Sequence, residues 1–107
     1  MAKRKFEIDD PQLVTAFSTA FSHKLRITIF LLYANGARAS AKMFAEDGLA
    51  PLANCSYHLA KLRDLGAITV VKENKRRGAI ERQCEITKFG IELVEWAEDI
   101  GRGPRGE

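Results

Sequence analysis

The chain has 107 residues, a length that fits one domain, with ordinary apolar (46%) and charged (29%) fractions. No apolar run approaches the roughly 18–20 residues that span a bilayer, and the basic start of the chain runs into acids instead of a signal core. Two cysteines with no CxxC spacing argue against a disulfide framework or a zinc finger, and the net charge of +3 is mild. A cytoplasmic protein is expected by default.

The first two predicted elements are helices. An acidic residue before Pro11 is a typical helix start, and apolar residues at helical spacing continue to about Phe21. Ser22 is expected to cap the second helix, which ends at Asn35-Gly36. The side chains predicted to face inward from the second helix are Leu25, Ile29, Phe30, Leu32 and Tyr33.

Two shorter helices follow. Ser40 is expected to cap the third, which stops at Asp47-Gly48. Pro51 opens the fourth, which Gly66 ends. Its apolar side is formed by Cys55, Leu59 and Leu62, with Leu52 and Leu65 beside them.

A two-strand pattern and a last helix complete the chain. Residues 67–72 and 80–86 read as strands around a turn at 74–79, and Thr87 caps the last helix. The predicted fold class is mainly α with a small two-stranded β-wing: a winged helix-turn-helix over residues 11–100, with an extra helix at each terminus for dimerisation. Residues 1–10 form an N-terminal arm and residues 101–107 a disordered tail.

The fourth helix is the candidate recognition helix for DNA. Its outward face carries small and polar side chains, which would let it enter a major groove about 12 Å wide. Asn54 has the chemistry to pair with adenine, Tyr57 to touch a thymine methyl or a phosphate, and Lys61 to bind a phosphate or guanine. The predicted contact residues are Asn54, Ser56, Tyr57, His58 and Lys61. The alternative is an ordinary solvated helix face.

Positive charge concentrates on the hairpin that follows, the wing. Its cations are predicted to reach the minor groove and the phosphates, whereas the acidic stretch 92–99 repels phosphate. A charged turn that is merely solvated is the alternative. The predicted wing contacts are Lys72, Lys75, Arg76, Arg77 and Arg82. Further phosphate contacts are expected at the start of the third helix, where a plain helix cap is an equal alternative: Arg38, Ser40 and Lys42.

The terminal helices carry more aromatic residues than a small core is expected to absorb. A symmetric homodimer would bury them and place two recognition helices about 34 Å apart. The alternative is that they close the core of a single chain. The predicted dimer interface comprises Leu13, Phe17, Phe21, Phe89, Leu93, Trp96 and Ile100.

Three segments resemble the ArsR-like winged helix regulators. Residues 56–68 resemble the recognition-helix pattern S-x-H-L-x-x-L-R-x-x-G-x-[ILV], residues 23–29 that family's second helix, and residues 76–81 the wing tip of some members. The matches fall in order over roughly residues 15–90. The resemblance implies a DNA-binding transcription factor, most often a repressor. The chain departs from the family at Arg82, Gln83 and Cys84, where aromatic residues are common.

The resemblance points to a member of the family that does not sense metals. Metal-sensing relatives carry a Cys-x-Cys-type motif on the third helix, or Asp and His ligands on the last one, and this chain has neither. Cys55 and His58 are spaced to share a metal, but Cys55 lies on the apolar side, so a buried thiol is expected.

No cofactor is predicted, and the absence of a catalytic motif, P-loop or GxGxxG predicts a protein that is not an enzyme. One rival hypothesis is a winged-helix protein-interaction module without DNA binding. Another is a small-molecule sensor or the dimerising part of an enzyme, either of which would need a pocket near the terminal helices.

Overall fold

A computed structural model describes residues 11–102 of the chain. The element order is the predicted one: four helices, a two-stranded antiparallel sheet and a final helix. The predicted fold class, a mostly helical winged helix-turn-helix, is confirmed. The elements are α1 (Pro11–Ala20), α2 (Lys24–Ala34), α3 (Ala41–Glu46), α4 (Leu52–Asp64), β1 (Ile68–Arg76), β2 (Ala79–Ile86) and α5 (Lys88–Arg102).

The start and the inner face of α2 differ from the prediction. Its cap is His23, whose Nδ1 accepts a hydrogen bond from the amide of Leu25, in place of Ser22. Leu32 is exposed, whereas Arg26 is buried. The reason is that α2 has apolar residues on several sides, so periodicity alone does not fix which face turns inward. The buried residues of α2 are Arg26, Ile29, Phe30 and Tyr33.

The helices α3 and α4 form the helix-turn-helix. The hydroxyl of Ser40 caps α3 by accepting a hydrogen bond from the amide of Met43, as predicted. Pro51 precedes α4, and the chain leaves that helix through Gly66, whose positive φ of 82° suits glycine. The apolar side of α4 packs into the core as expected, with His58 added to it: Cys55, His58, Leu59 and Leu62.

The wing, formed by β1, β2 and their turn, is longer than predicted. Pairing continues to Arg76 and Ala79, so the reversal consists of Arg77 and Gly78, both with positive φ. The predicted turn at 74–79 is therefore mostly strand. The added residues of β1 are polar or charged, yet they remain paired because backbone hydrogen bonds hold two strands together even where no core lies beneath them. Two backbone hydrogen bonds between Ala39 and Cys84 attach the base of the wing to the segment before α3.

Helix α5 begins at the predicted cap. The Oγ1 of Thr87 accepts a hydrogen bond from the amide of Gly90, and the same hydroxyl donates to the carbonyl of Gly66. The helix continues through Arg102, two residues beyond the predicted end. The predicted arm (residues 1–10) and the remainder of the predicted tail (103–107) lie outside the described residues. Within the described part, no helix is both long and apolar enough to cross a membrane.

Most of the aromatic surplus of the terminal helices is absorbed by the core of one chain. The rings of Phe17 and Trp96 meet edge to face at 4.8 Å, and Phe21 lies 5.5 Å from Phe30. Leu13, Leu93 and Trp96 are buried, and Phe17, Phe21 and Phe89 are partly buried against them. Of the predicted interface residues, Ile100 alone is exposed. The expectation that a small core cannot hold these side chains is wrong, because α1 and α5 both pack on α2.

Candidate nucleic-acid interface

Helix α4 presents a mixed polar and aromatic outer face. Asn54, Ser56 and Tyr57 are exposed, with Tyr57 at 55%, and Lys61 is half-buried beside them. The ammonium of Lys61 lies 5.5 Å from the centroid of the Tyr57 ring, a cation–π distance. Side chains that project outward from one helix face in this way are available to an external surface, as the sequence predicts for a recognition helix.

His58 does not share that face. It is 4% exposed, and its Nδ1 accepts a hydrogen bond from the Nε of Arg26, 3.0 Å away. Burial first, and then the positive charge of Arg26 and the proximity of His23, lower the pKa of His58. The prediction that His58 contacts DNA therefore conflicts with its position: the imidazole faces α2 and is already bonded there.

The wing presents exposed cations along its length. Lys72, Lys75, Arg77 and Arg82 are all exposed. The side chain of Arg76, the fifth predicted contact, lies outside the described part of the structure. Arg82 pairs with Glu73 across the two strands at 3.2 Å. Because exposed ion pairs contribute little free energy, the pair does not prevent Arg82 from binding another anion.

One groove lies between α3, α4 and the wing. It has a volume of about 920 Å³, and its walls come from the start of α3, one side of α4 and the tip of β2. Four cations and one carboxylate, Glu81, line it, and apolar side chains of α4 and β2 form part of its surface. The cations are Lys42, Arg63, Arg77 and Arg82.

The residues expected to hold phosphate at the start of α3 divide into two groups. Arg38 and Lys42 are exposed, and Lys42 makes a long 3.8 Å pair with Glu46. Ser40 is 1% exposed, and its hydroxyl donates to Glu81 at 2.7 Å while capping α3. Ser40 therefore matches the alternative of a plain cap, with an added link to the wing, and its hydroxyl is not free for a phosphate.

Sequence reasoning missed Arg63 and Arg26. Arg63 is half-buried and lines the groove. It also lies beside Cys84. Burial raises the pKa of the Cys84 thiol, and the charge and hydrogen bond of Arg63 offset part of that rise. Both arginines stand inside the segments that resemble the ArsR-like family, but nothing in the local pattern shows that they are near other elements.

The two thiols and the histidines form no recognisable metal site. Cys55 and Cys84 are buried, and burial raises the pKa of each. The Sγ of Cys55 lies 3.6 Å from the carbonyl of Ala50. Within residues 11–102, no group of three or more His, Cys, Asp or Glu side chains is placed to hold a metal ion.

A second, shallower groove of about 480 Å³ lies where α1 and α5 meet the end of α4. This groove lies where the small-molecule-sensor hypothesis requires a pocket, beside the terminal helices. Its surface includes Thr15, Leu65 and Phe89.

Comparisons with known proteins agree with the fold. No family model matches the chain, and no curated protein matches it in sequence. Among solved structures, it resembles the crystal structure of an ArsR family transcriptional regulator. The likeness has a TM-score of 0.58 at 20% sequence identity and covers 100% of this chain and 99% of the other. A likeness at this identity identifies the shared architecture: the chain has the winged helix-turn-helix fold of that regulator.

Proposed function

We propose that this protein is a sequence-specific regulator of transcription that binds double-stranded DNA as a homodimer and acts as a repressor. Helix α4 enters the major groove and the wing reaches the adjacent minor groove. The observation that carries the proposal is the shared groove, in which three elements present four cations against one carboxylate. A surface of this sign and shape fits the sugar-phosphate backbone between the two DNA grooves.

The outer face of α4 supports the base-reading part of the proposal. Asn54 and Ser56 are short and exposed, so the helix axis can approach the base edges closely. Tyr57 adds a flat ring with a hydroxyl, suited to a thymine methyl or a phosphate. Lys61 adds positive charge on the same face. This set replaces the predicted one by removing the buried His58.

The homodimer is supported by the apolar side of α5. Ile100 lies seven residues after the buried Leu93, which places it on the same face of the helix, yet it is 55% exposed. Val14 is a further exposed apolar side chain, on α1. A two-fold dimer through these helices would cover them and set two α4 helices about 34 Å apart. Repression then follows from occupancy, because a dimer seated on a promoter excludes other proteins.

Titration of a fluorescent duplex with the purified protein at several salt concentrations tests the proposal. Six to ten phosphate contacts predict that affinity falls by roughly 10³–10⁵ between 50 and 200 mM salt. A protein that ignores duplexes at low salt and co-purifies with a protein partner would instead be the interaction module of the rival hypothesis. Sedimentation of the DNA-free protein measures the dimer separately.

Replacement of Asn54 is expected to relax sequence preference. Asn54→Ala removes a side chain able to donate to and accept from one adenine, so the favoured duplex loses about 1–3 kcal/mol of binding free energy. Binding to unrelated duplexes, which depends on phosphates, is expected to stay the same. Competition titrations with both kinds of duplex measure the difference. Equal losses on both would contradict a base-reading role for Asn54.

Ser40 and Lys42 are expected to give opposite results. Ser40→Ala removes the α3 cap and the link to Glu81, so the free energy of unfolding drops by about 1–2 kcal/mol while the salt dependence of binding is unchanged. Lys42→Gln leaves stability within about 0.5 kcal/mol and lowers the slope of log K against log salt by about 1 per protomer. Urea denaturation and the duplex titration measure the two quantities. If Ser40→Ala flattened the slope, Ser40 would be a phosphate contact after all.

A further inference from the structure

Arg26 is a buried guanidinium that joins three helices. It is 5% exposed. One terminal nitrogen donates to the carbonyl of Thr19, in the last turn of α1, at 2.7 Å and to the hydroxyl of Ser22, in the α1–α2 connection, at 3.1 Å. Its Nε donates to His58 on α4, and its central carbon lies 5.7 Å from the centroid of the Tyr57 ring. Arg26 thus connects the α1–α2 junction directly to the recognition helix.

His58 is the other half of this connection. Its Nδ1 accepts from Arg26, so in this arrangement the neutral imidazole carries its proton on Nε2. The Tyr57 ring meets the His58 ring edge to face with the two centroids 5.1 Å apart, and the centroid of the His23 ring lies 4.5 Å from that of His58. The buried side chains of Arg26 and His58 therefore set the orientation of the exposed Tyr57 ring together.

We propose that Arg26 is a positioning residue for DNA recognition, and that protonation of His58 in acid breaks the hydrogen bond by which Arg26 holds α4 and so weakens DNA binding. This inference rests on the proposed function for its DNA readout. Its structural half, the coupling of His58 protonation to the position of Tyr57, holds for the free protein as well.

The charges around His58 give the sign of the effect. From α2 and the residue before it, Arg26 and His23 face the imidazole, and from α4 itself come Tyr57 and, beyond it, Lys61. Among the described residues, no ion pair joins Arg26 or His58 to a carboxylate. If Nδ1 of His58 were protonated, its N–H would face the Nε–H of Arg26, and the charges of the imidazolium and the guanidinium would lie side by side in a buried site.

The direction with pH follows from this arrangement. The binding-competent form is neutral, and burial together with Arg26 lowers the pKa of His58 in the folded protein. Affinity is therefore expected to be constant above neutral pH and to fall as the pH drops through that lowered pKa. The limiting slope is about one log unit per pH unit per protomer. The unfolded chain takes up the proton at a higher pH, so folding stability also declines toward acid, starting below about pH 6.5.

The chain offers a sharp test because it contains two histidines in all. Duplex affinity is measured from pH 5 to 8 for the wild type, His58→Asn and His23→Asn. The Asn oxygen at position 58 takes the place of Nδ1 and accepts from Arg26 without titrating, so the duplex affinity of His58→Asn is expected to stay constant from pH 5 to 8, without the acid-dependent fall. His23→Asn keeps a capping side chain and is the matched control, expected to retain the fall.

The role of Arg26 is tested by two replacements at pH 7.5. Arg26→Met removes the donors and is expected to weaken duplex binding by about tenfold or more, whereas Arg26→Lys, which keeps one donor, recovers part of it. Circular dichroism confirms that each variant is folded. In the DNA-free wild type, the NMR signals of the Tyr57 ring are expected to shift with the same midpoint as those of His58, and to stay constant in His58→Asn.

The outcomes separate the two proposals. Absence of duplex binding at every pH would reject the proposed function, and the Tyr57 signals would still decide the coupling. Duplex binding that shows the same acid-dependent fall in the wild type and in His58→Asn would overturn the role of His58. Unchanged affinity in Arg26→Met would overturn the role of Arg26. Tyr57 signals indifferent to the titration of His58 would overturn the coupling itself.

Discussion

Removing two cations from the wing is expected to weaken binding to every duplex by about 10–100-fold at moderate salt. The double variant Lys75→Gln, Arg77→Asn eliminates two exposed charges near the apex without touching the core. Asn is chosen at position 77 because that residue has a φ of 49°, which Asn tolerates better than most side chains. Each lost phosphate contact lowers the slope of log K against log salt by about 0.9, so the pair should flatten it by about 2 per protomer.

A charge-preserving variant provides the control for this result. Lys75→Arg with Arg77→Lys keeps both charges and is expected to bind within about threefold of the wild type with an unchanged slope. The same anisotropy titration measures all three proteins. Full affinity and an unchanged slope in the charge-removing variant would show that the apex of the wing does not reach the DNA backbone.

Gly90→Ala is expected to destabilise the fold by about 3 kcal/mol or more. A Cβ built at this position would lie 2.2 Å from the carbonyl oxygen of Ala67 and 2.7 Å from a side-chain carbon of Ile86. The oxygen belongs to backbone, which also accepts a hydrogen bond from Thr87, so it has little freedom to move away. Helix propensity alone predicts the reverse, a gain of about 1 kcal/mol. The steric term dominates because overpacking at a rigid contact forces helix α5 away from the sheet.

Thermal and urea denaturation test this prediction. For a domain of this size, 3 kcal/mol corresponds to a fall in Tm of roughly 12–24 °C. Glu98→Ala, on the exposed side of the same helix, is the control and is expected to stay within about 0.5 kcal/mol of the wild type. An unchanged or higher Tm in Gly90→Ala would mean that α5 does not approach the strand as closely as described.

Local sequence signals predicted the element order because each boundary has its own chemistry. Ser40 and Thr87 accept hydrogen bonds from the first free amides of α3 and α5, and Gly66 takes the positive φ that ends α4. These interactions span three residues or fewer, so the sequence order alone reveals them. The exposed face of α4 followed from its spacing in the same way.

The interior of the candidate site depends on contacts between distant residues. Arg26 and His58 are 32 positions apart, and Ser40 and Glu81 are 41 apart. A histidine beside an apolar helix face is ambiguous until its hydrogen-bond partner is known, and here the partner is an arginine on another helix. Trp96 is ambiguous in the same way. Tryptophan is common at interfaces, but here its ring packs on Phe17 of its own chain.

Selection of bound duplexes from a random pool by the purified protein tests the central claim most directly. If α4 reads bases while the wing grips the backbone, the enriched sequences should share a two-fold symmetric motif whose half-sites lie about 10 base pairs apart. Asn54→Ala should blur one position of each half-site. A pool that stays random after repeated rounds, with the folded protein present, would contradict the account.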